Sequence, residues 1–430
     1  MILMCLRIYD SKWFASLASD SINFLEKGNP KLEKSSIVIL ILIACFTSNA
    51  SSSSSVTLSG NVGYETRAFI NDSGSVASHH ISNSISFSPE VYWERNNEKF
   101  TFLFSPFLRI DQRDPDRTHI DIREFTYSIN EYDWELRLGV RKLFWGVAES
   151  NHLVDVINQT DSVENLDLED KLGQPMVNLA FLRDWGSIDL FVLPLFRERT
   201  FVGVEGRPNF SSIFRGKEAE FESAAERNHV DFAIRYSTYT DNLDLGFYHF
   251  WGTARTPRIV TRVREGNLID LVPFYEIAHQ TGLDAQLTYG NTLYKLELLH
   301  YSSDFGSYFA GVGGGEYTLV GIGETSMDLG ILAEYHWDER GTSGPSIFNH
   351  DLFGGVRLAA NDVNDTQLLA GLITDINNRS TMLNLEASRR LSNFWKVEIE
   401  VRFFVDASRN DPSYGLRNED YIQLEFFRYF

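Results

Sequence analysis

The chain has 430 residues, 39 basic and 59 acidic side chains and a net charge of −20. That balance argues against a nucleic-acid partner, which would need a concentrated basic surface. The only cysteines, Cys5 and Cys45, precede residue 50, so the rest of the chain can form neither disulfides nor cysteine-based metal sites.

Residues 31–50 open on Lys31 and Lys34, continue through an apolar run from Ile37 to Phe46, and end with the small residues Ser48 and Ala50. This is the layout of a secretory signal peptide, with cleavage expected after Ala50. The apolar run is too short to cross a bilayer as a helix. Leu42-Ile43-Ala44-Cys45 resembles a bacterial lipobox and offers a rival reading, lipidation of Cys45; a buried core helix is the bland one. Some thirty residues precede the basic region, so translation is expected to start near Lys31 and residues 1–50 to be absent from the mature chain. Residues 51–430 are expected to form one domain.

From Val56 onward, segments of alternating character follow one another. Trp134, Leu136, Leu138 and Val140 alternate with Glu135, Arg137, Gly139 and Arg141. Val230, Phe232, Ile234 and Tyr236 alternate with Asp231, Ala233, Arg235 and Ser237, and Ile331, Ala333, Tyr335 and Trp337 flank Glu334 and His336. The clearest case is 394–406, where Trp395, Val397, Ile399, Val401, Phe403 and Val405 alternate with Lys396, Glu398, Glu400, Arg402 and Asp406, and only Phe404 breaks the pattern. Side chains alternate across a strand, so one face is apolar and the other charged. At helical spacing the same charges would surround the cylinder.

Short polar turns are expected at 96–98, 130–133, 184–186, 241–242, 290–291, 324–326, 362–365 and 392–393. Longer connections are expected at 70–79, 112–117, 143–173, 199–227, 255–279, 305–315, 339–348, 376–378 and 407–418. The two sorts alternate, which gives about 18 strands, with 16 the alternative, and places all short turns at one end. A soluble sandwich has no reason to sort its connections this way. No segment after residue 50 could cross a bilayer as a helix, and a closed barrel is the other way to satisfy every backbone group in lipid. The fold expected is all-β: a transmembrane antiparallel β-barrel with short periplasmic turns and long extracellular loops. A mean hydropathy of −0.21 fits, because half of each strand faces water. Trp93, Trp134, Trp185, Trp251, Trp337 and Trp395 fall near strand ends, as an interfacial girdle requires.

The chain stops on Tyr421 to Phe430, with Ile422, Leu424, Phe426 and Phe430 on one face. This end resembles the C-terminal signature of Gram-negative outer-membrane barrels of the porin type. The resemblance implies that Phe426 and Phe430 address the barrel-assembly machinery. It also implies a place in the outer membrane of a Gram-negative bacterium, among outer-membrane lipid and lipopolysaccharide, and a homotrimer. Arg428 departs from the pattern by standing on the lipid-facing side, where its long stem can carry the charge to the interface.

The inward sets mix signs: Arg137, Arg141, Arg235, Lys396 and Arg402 with Glu135, Asp231, Asp284, Glu297, Glu334, Glu398 and Glu400. They read either as solvated walls paired across strands or as rings of charge that set selectivity. The connection 143–173 carries Glu149, Asp155, Asp161, Glu164, Asp167, Glu169 and Asp170 with Lys171, and its apolar Val147, Leu153, Val154, Val156 and Ile157 require something to pack on. It resembles the long porin loop that folds into the lumen and faces a basic wall. That resemblance makes Glu149, Asp155 and Asp161, opposite Arg137 and Arg141, the expected constriction. The alternative is an outside loop that shields the mouth. Trp145 to Ser150 also loosely resembles a group of poorly characterised outer-membrane barrels, which implies no activity.

Arg197, Arg199, Arg207 and Arg215, with Arg255, Arg258, Arg262 and Arg264, could draw anionic solutes or lipopolysaccharide phosphates, or be solvated loop charge. Gly311–Gly315 lacks the ending of a phosphate loop, no dedicated calcium-loop spacing occurs, and the histidines stand near no serine elbow. No cofactor, no metal and no enzymatic activity are expected. The function expected is a porin-like channel for small hydrophilic solutes. A structural or adhesive barrel and an outer-membrane hydrolase are the alternatives.

Overall fold

The computed structural model describes residues 54–73, 77–209, 218–263, 269–344 and 346–430. The expected signal peptide, its cleavage after Ala50 and the lipobox at Cys45 lie outside the described residues, as do Arg215 and Arg264.

The strands in chain order are β1 (Ser54–Phe69), β2 (Ile81–Arg95), β3 (Phe100–Asp111), β4 (His119–Asn130), β5 (Trp134–Arg141), β6 (Gln174–Arg183), β7 (Gly186–Leu193), β8 (Glu220–Phe221), β9 (Asp231–Tyr239), β10 (Leu243–Thr253), β11 (Arg258–Val263), β12 (Ile269–Tyr275), β13 (Ile277–Tyr289), β14 (Thr292–Ser303), β15 (Gly306–Leu319), β16 (Asp328–Asp338), β17 (His350–Ala359), β18 (Gln367–Asp375), β19 (Thr381–Ser392), β20 (Trp395–Val405) and β21 (Tyr421–Tyr429). Eighteen of them form one sheet, while β8, β11 and β12 pair separately. In the large sheet each strand pairs antiparallel with the next, and β21 returns to β1, with Phe69 opposite Tyr421 and Asn61 opposite Tyr429. The sheet therefore has no edge.

Side-chain burial follows the alternation. On β10, Tyr248 and Phe250 are buried while Phe247 and Trp251 are exposed, and on β20, Glu400, Arg402 and Phe404 are buried while Ile399 and Val405 are exposed. Phe404 thus keeps the inward parity of its strand. The outer face is apolar all the way round, as Phe232, Leu298, Ile331, Leu372 and Ile399 show. Apolar surface on that scale needs lipid against it. An even-numbered, single-chain, closed antiparallel barrel with such a belt is an outer-membrane barrel.

All eight short turns join strands at one end. Tyr289 pairs with Thr292 around Gly290-Asn291, and Gly290 has a positive φ of 58°, as a tight hairpin demands. The long connection expected at 305–315 is not one. Ser303 pairs directly with Gly306, and Gly311–Gly315 lie inside β15. A Cβ on Gly314 would sit 2.1 Å from the Ala333 carbonyl oxygen on β16, and one on Gly315 2.5 Å from that of Leu293 on β14. These glycines permit close approach of neighbouring backbone rather than breaking the strand.

At the C-terminus, the Phe430 N–H donates to the Gly60 carbonyl at 3.1 Å, and its ring stacks on Phe87. The Arg428 guanidinium lies over Phe394 (4.6 Å) and Trp395 (5.6 Å). The outward charge is carried by an aromatic pair.

Candidate functional site: the lumen and its in-folded loop

The connection between β5 and β6 enters the barrel. Trp145, Val154, Val156 and Ile157 form one buried cluster with Met176 of β6, Phe191 and Leu193 of β7, Ala233 of β9, and Tyr248 and Phe250 of β10. Each fully buried aliphatic side chain contributes about 1.5–3 kcal/mol to holding the loop. Here the lumen wall is apolar, which is why the loop sits there. Asn158 staples the loop's base: its Oδ1 accepts from Leu143 N (2.9 Å), and its Nδ2 donates to the carbonyls of Arg141 (2.7 Å) and Leu172 (2.9 Å).

The first half of the loop rests on two wall carboxylates. Glu297 of β14 accepts the backbone N–H groups of Val147 (2.7 Å), Ala148 (2.9 Å) and Val154 (3.2 Å). Glu334 of β16 accepts those of Glu149 (2.7 Å) and Ser150 (3.0 Å) and the Ser150 hydroxyl (2.6 Å). Gly146 has φ +137°, and a Cβ there would lie 2.9 Å from Glu297 Oε1. Ser150 Oγ is also 2.7 Å from His336 Nε2. Ser150 thus ties the loop to Glu334 and His336, both on β16. The Glu149 side chain meets Lys295 of β14 (3.2 Å) and Arg357 of β17 (2.5 Å).

The second half lies on an arginine wall built by β1, β3 and β4. Arg123 reaches Asp161 (2.6 Å), Arg109 reaches Glu164 (2.8 Å), and Arg67 donates to the Glu164 carbonyl (2.7 Å). Arg117 holds Glu65 (2.7 Å) and donates to the Val163 carbonyl (2.9 Å). Farther round, Arg402 pairs with Glu400 (2.6 Å) and Asp167 (3.1 Å). His119, Asp161 and Glu164 bring ligand atoms within 4.8 Å of one another, but the arginines already neutralise these carboxylates.

Burial and neighbours split the loop's carboxyls. Burial pushes Asp167 up to about 7, with Asp170 and Glu400 adding to the rise against Arg402. It pushes Asp170 up to about 6, with Glu164 adding to it. Burial works against ionisation of Asp161 as well, but the hydrogen bond from His119 and the Arg123 guanidinium hold it well below the usual carboxylate range.

The residues expected to form one ring are not together. Glu149 faces Lys295 and Arg357, Asp155 pairs with Lys171 of its own loop (3.2 Å), and Asp161 faces Arg123. Arg137 and Arg141 instead donate to Asn178 Oδ1 (3.1 and 2.9 Å). Of the other wall residues, Glu334, Glu400 and Arg402 hold the loop, while Lys396 pairs with Glu398 (2.7 Å). Arg197, Arg207 and Arg255 are tied to Asp121, Glu419 and Asp231, whereas Arg258 and Arg262 are exposed. Sequence reasoning missed Arg67, Arg109, Arg117, Arg123, Lys295 and Arg357. Inward parity on their strands was the available signal for all but Arg117.

Beside the loop lies a cavity of about 1340 Å³. Gln367, Leu369, Gly371 and Ile373 line it along almost the whole of β18. It reaches Arg340, Phe348 and Pro412 at the long-loop end and Ser388 and Glu398 toward the short-turn end. Its more open carboxylates are Glu169, Glu386 and Glu398.

No protein-family model and no curated protein matches the chain. Among solved structures it is similar to a loop L8 deletion mutant of OmpT, an outer membrane protein of Vibrio cholerae, at 10% identity and a TM-score of 0.44 over 88% of this chain and 99% of that one. The in-vitro folded trimer form of OmpT gives the same identity and TM-score over 88% and 100%. A triple mutant of Rhodopseudomonas blastica porin gives 11%, 0.42, 87% and 100%. Likeness at this level assigns no activity.

Proposed function

We propose that the protein is a diffusion channel for small hydrophilic solutes, narrowed by its in-folded loop. The observation that carries this reading is the cavity following almost the whole of β18 beside a loop pinned to the lumen wall. Among the described residues that line the path, nine carboxylates (Glu149, Asp155, Asp167, Glu169, Glu276, Asp338, Glu386, Glu398 and Glu400) stand against seven cations (Lys171, Arg199, Arg255, Arg258, Arg340, Arg357 and Arg402). That excess favours cations, as rings of carboxylates do in other pores. Lipopolysaccharide, the assembly machinery at Phe426 and Phe430, and a homotrimer are the partners this reading brings with it. No enzymatic step belongs to it.

The test is conductance of the refolded chain in a planar bilayer, with the reversal potential measured across a salt gradient. A stable open current with cation preference is expected. A correctly folded, silent barrel would sink the proposal in favour of a structural or adhesive role.

A further inference from the structure

We propose that the lumen binds small amphipathic organic cations, with an apolar face seated on a strip of wall across β17–β20 and an ammonium group at Glu386. The proposal rests on the channel reading and narrows its solutes to water-soluble cations that carry one apolar face.

The strip follows from register. Phe353 is the direct partner of Ile373, Ile373 of Met382, and Met382 of Phe404. All four stand on the inward parity of their strands, so four neighbouring strands present apolar side chains at one level. The next inward level holds Gly355 and Gly371, direct partners without side chains. The Phe353 ring lies across them: a Cβ on Gly371 would be 2.5 Å from its Cε2, and one on Gly355 2.9 Å from its Cζ. The ring thereby carries the strip toward Leu369, which packs on the same cluster, and Leu332 of β16 backs it.

The strip faces the cavity. Phe353, Leu369, Ile373, Met382 and Phe404 all line that space, Leu369 and Met382 half-buried and the other three showing an edge. The loop's own apolar cluster, Trp145, Val154, Val156 and Ile157, packs on β6, β7, β9 and β10 instead. A path for wholly hydrophilic solutes gains nothing from an apolar wall, which is unfavourable against water. Apolar lining with a few placed polar groups is how proteins hold organic ligands.

Charge sets the class. Glu386 is the direct partner of Leu369, at the short-turn end of the strip, and its side chain is 44% exposed. It accepts from Asn384 Nδ2 (2.7 Å). Its one ion pair among the described residues is distant, to Arg402 at 3.8 Å, and Glu400 (2.6 Å) and Asp167 (3.1 Å) hold that guanidinium closer. Arg357, on the other side of Leu369, is taken by Glu149 (2.5 Å) and Glu316 (3.5 Å). Glu169 of the loop opens on the same cavity with 60% of its side chain exposed. The open charge beside the strip is thus negative. An ammonium group would pair with Glu386 while the attached ring displaced water from the strip.

The experiment uses the full refolded barrel with 2-phenylethylammonium chloride as the probe. Ethanolammonium chloride carries the same charge without the ring, and sodium phenylacetate the ring with the opposite charge. Calorimetry in detergent, against a detergent blank, reads binding, and block of the potassium current in a planar bilayer reads occupancy of the path. The probe should bind about tenfold tighter than ethanolammonium, because its ring buries apolar wall. It should also bind more tightly than phenylacetate and lower the single-channel current. Met382→Gln keeps the side-chain length and removes its apolar end, and should weaken the probe about fivefold without changing the ethanolammonium response. Glu386→Gln should erase the preference for the amine over the acid. A silent barrel that binds the probe, and loses affinity in Met382→Gln, would overturn the channel and keep the site. An open channel on which the probe and ethanolammonium act alike, or whose Met382→Gln and Glu386→Gln variants respond as the parent does, would overturn the site and keep the channel. Phenylacetate binding as tightly as the probe would overturn the cationic class.

Discussion

Glu149 of the in-folded loop meets Arg357 of β17 inside the lumen, with the guanidinium 2.5 Å from the carboxylate, and Lys295 completes the contact at 3.2 Å. A loop residue is thereby the counter-ion of two wall cations. Removing Glu149 takes one negative charge from the conducting path, whereas removing Arg357 takes one positive charge and leaves Glu149 with Lys295 alone, so the two removals have opposite signs. Glu149→Gln should lower cation preference and Arg357→Ala should raise it. Each effect should be on the order of two- to fivefold in permeability ratio, the size of one charge acting at about 4 Å in a water-filled space. Reversal potentials of the two variants in the same salt gradient decide it; shifts in the same direction would contradict the arrangement.

Glu297 is the main anchor of the loop's first half, with three backbone N–H groups on one carboxylate. Glu297→Ala strands those donors inside the barrel, and the expected cost is about 3–5 kcal/mol. That is enough to detach residues 146–154 without unfolding the strands. Limited proteolysis of the folded variant should then cut within 143–173, where the parent resists, and single-channel current should become noisier.

The strands were legible because lipid and water impose a period of two. On β20 Phe404, which breaks the alternation of polarity, still faces inward, since parity outranks polarity once a barrel closes. That the loop packs on something was legible from Val154 and Ile157, which need a surface to bury them; whether that surface lay inside or outside the barrel was not. The run Gly311–Gly315 misled, because the same residue that breaks a strand in isolation permits close packing of three strands. Charge pairing was not legible. Arg137 and Arg141 are near the loop in sequence, yet its partners Lys295 and Arg357 come from strands on the far side of the lumen. Pairing across a barrel depends on closure and register, which one strand's pattern does not carry.

Asp167 and Asp170 predict a pH dependence. Their carboxyls are raised by burial to about 7 and about 6 in the folded chain, from an ordinary value near 3.8. A carboxyl raised on folding binds its proton more tightly in the native state. Its contribution to stability is thus complete below its ordinary value and lost as pH rises through 6 to 7. Loop protection in hydrogen exchange should therefore be greater at pH 5 than at pH 8. Cation preference should fall over the same interval in the acid direction, because protonated Asp167 no longer charges the cavity wall. Asp167→Asn should flatten both trends; an unchanged pH profile in that variant would assign the titration to another group.

The glycines of the sheet offer a test of packing that is independent of charge. A Cβ on Gly314 meets the Ala333 carbonyl oxygen at 2.1 Å, far inside contact distance, and the backbone of the neighbouring β16 cannot move aside cheaply. Gly354 lies on β17, and a Cβ there meets nothing within 4 Å. Both positions are mid-strand, so the loss of backbone freedom and the change in strand propensity are shared; Gly314 is on the inward parity of its strand and Gly354 on the outward one, and the close contact is confined to Gly314. Gly314→Ala should lower stability by about 1–3 kcal/mol, the usual cost of forcing added volume into packed structure. Gly354→Ala should be neutral or slightly stabilising. Urea midpoints of the refolded barrels in the same detergent measure the difference directly. If the two variants unfold together, β15 and β16 are farther apart than this register allows.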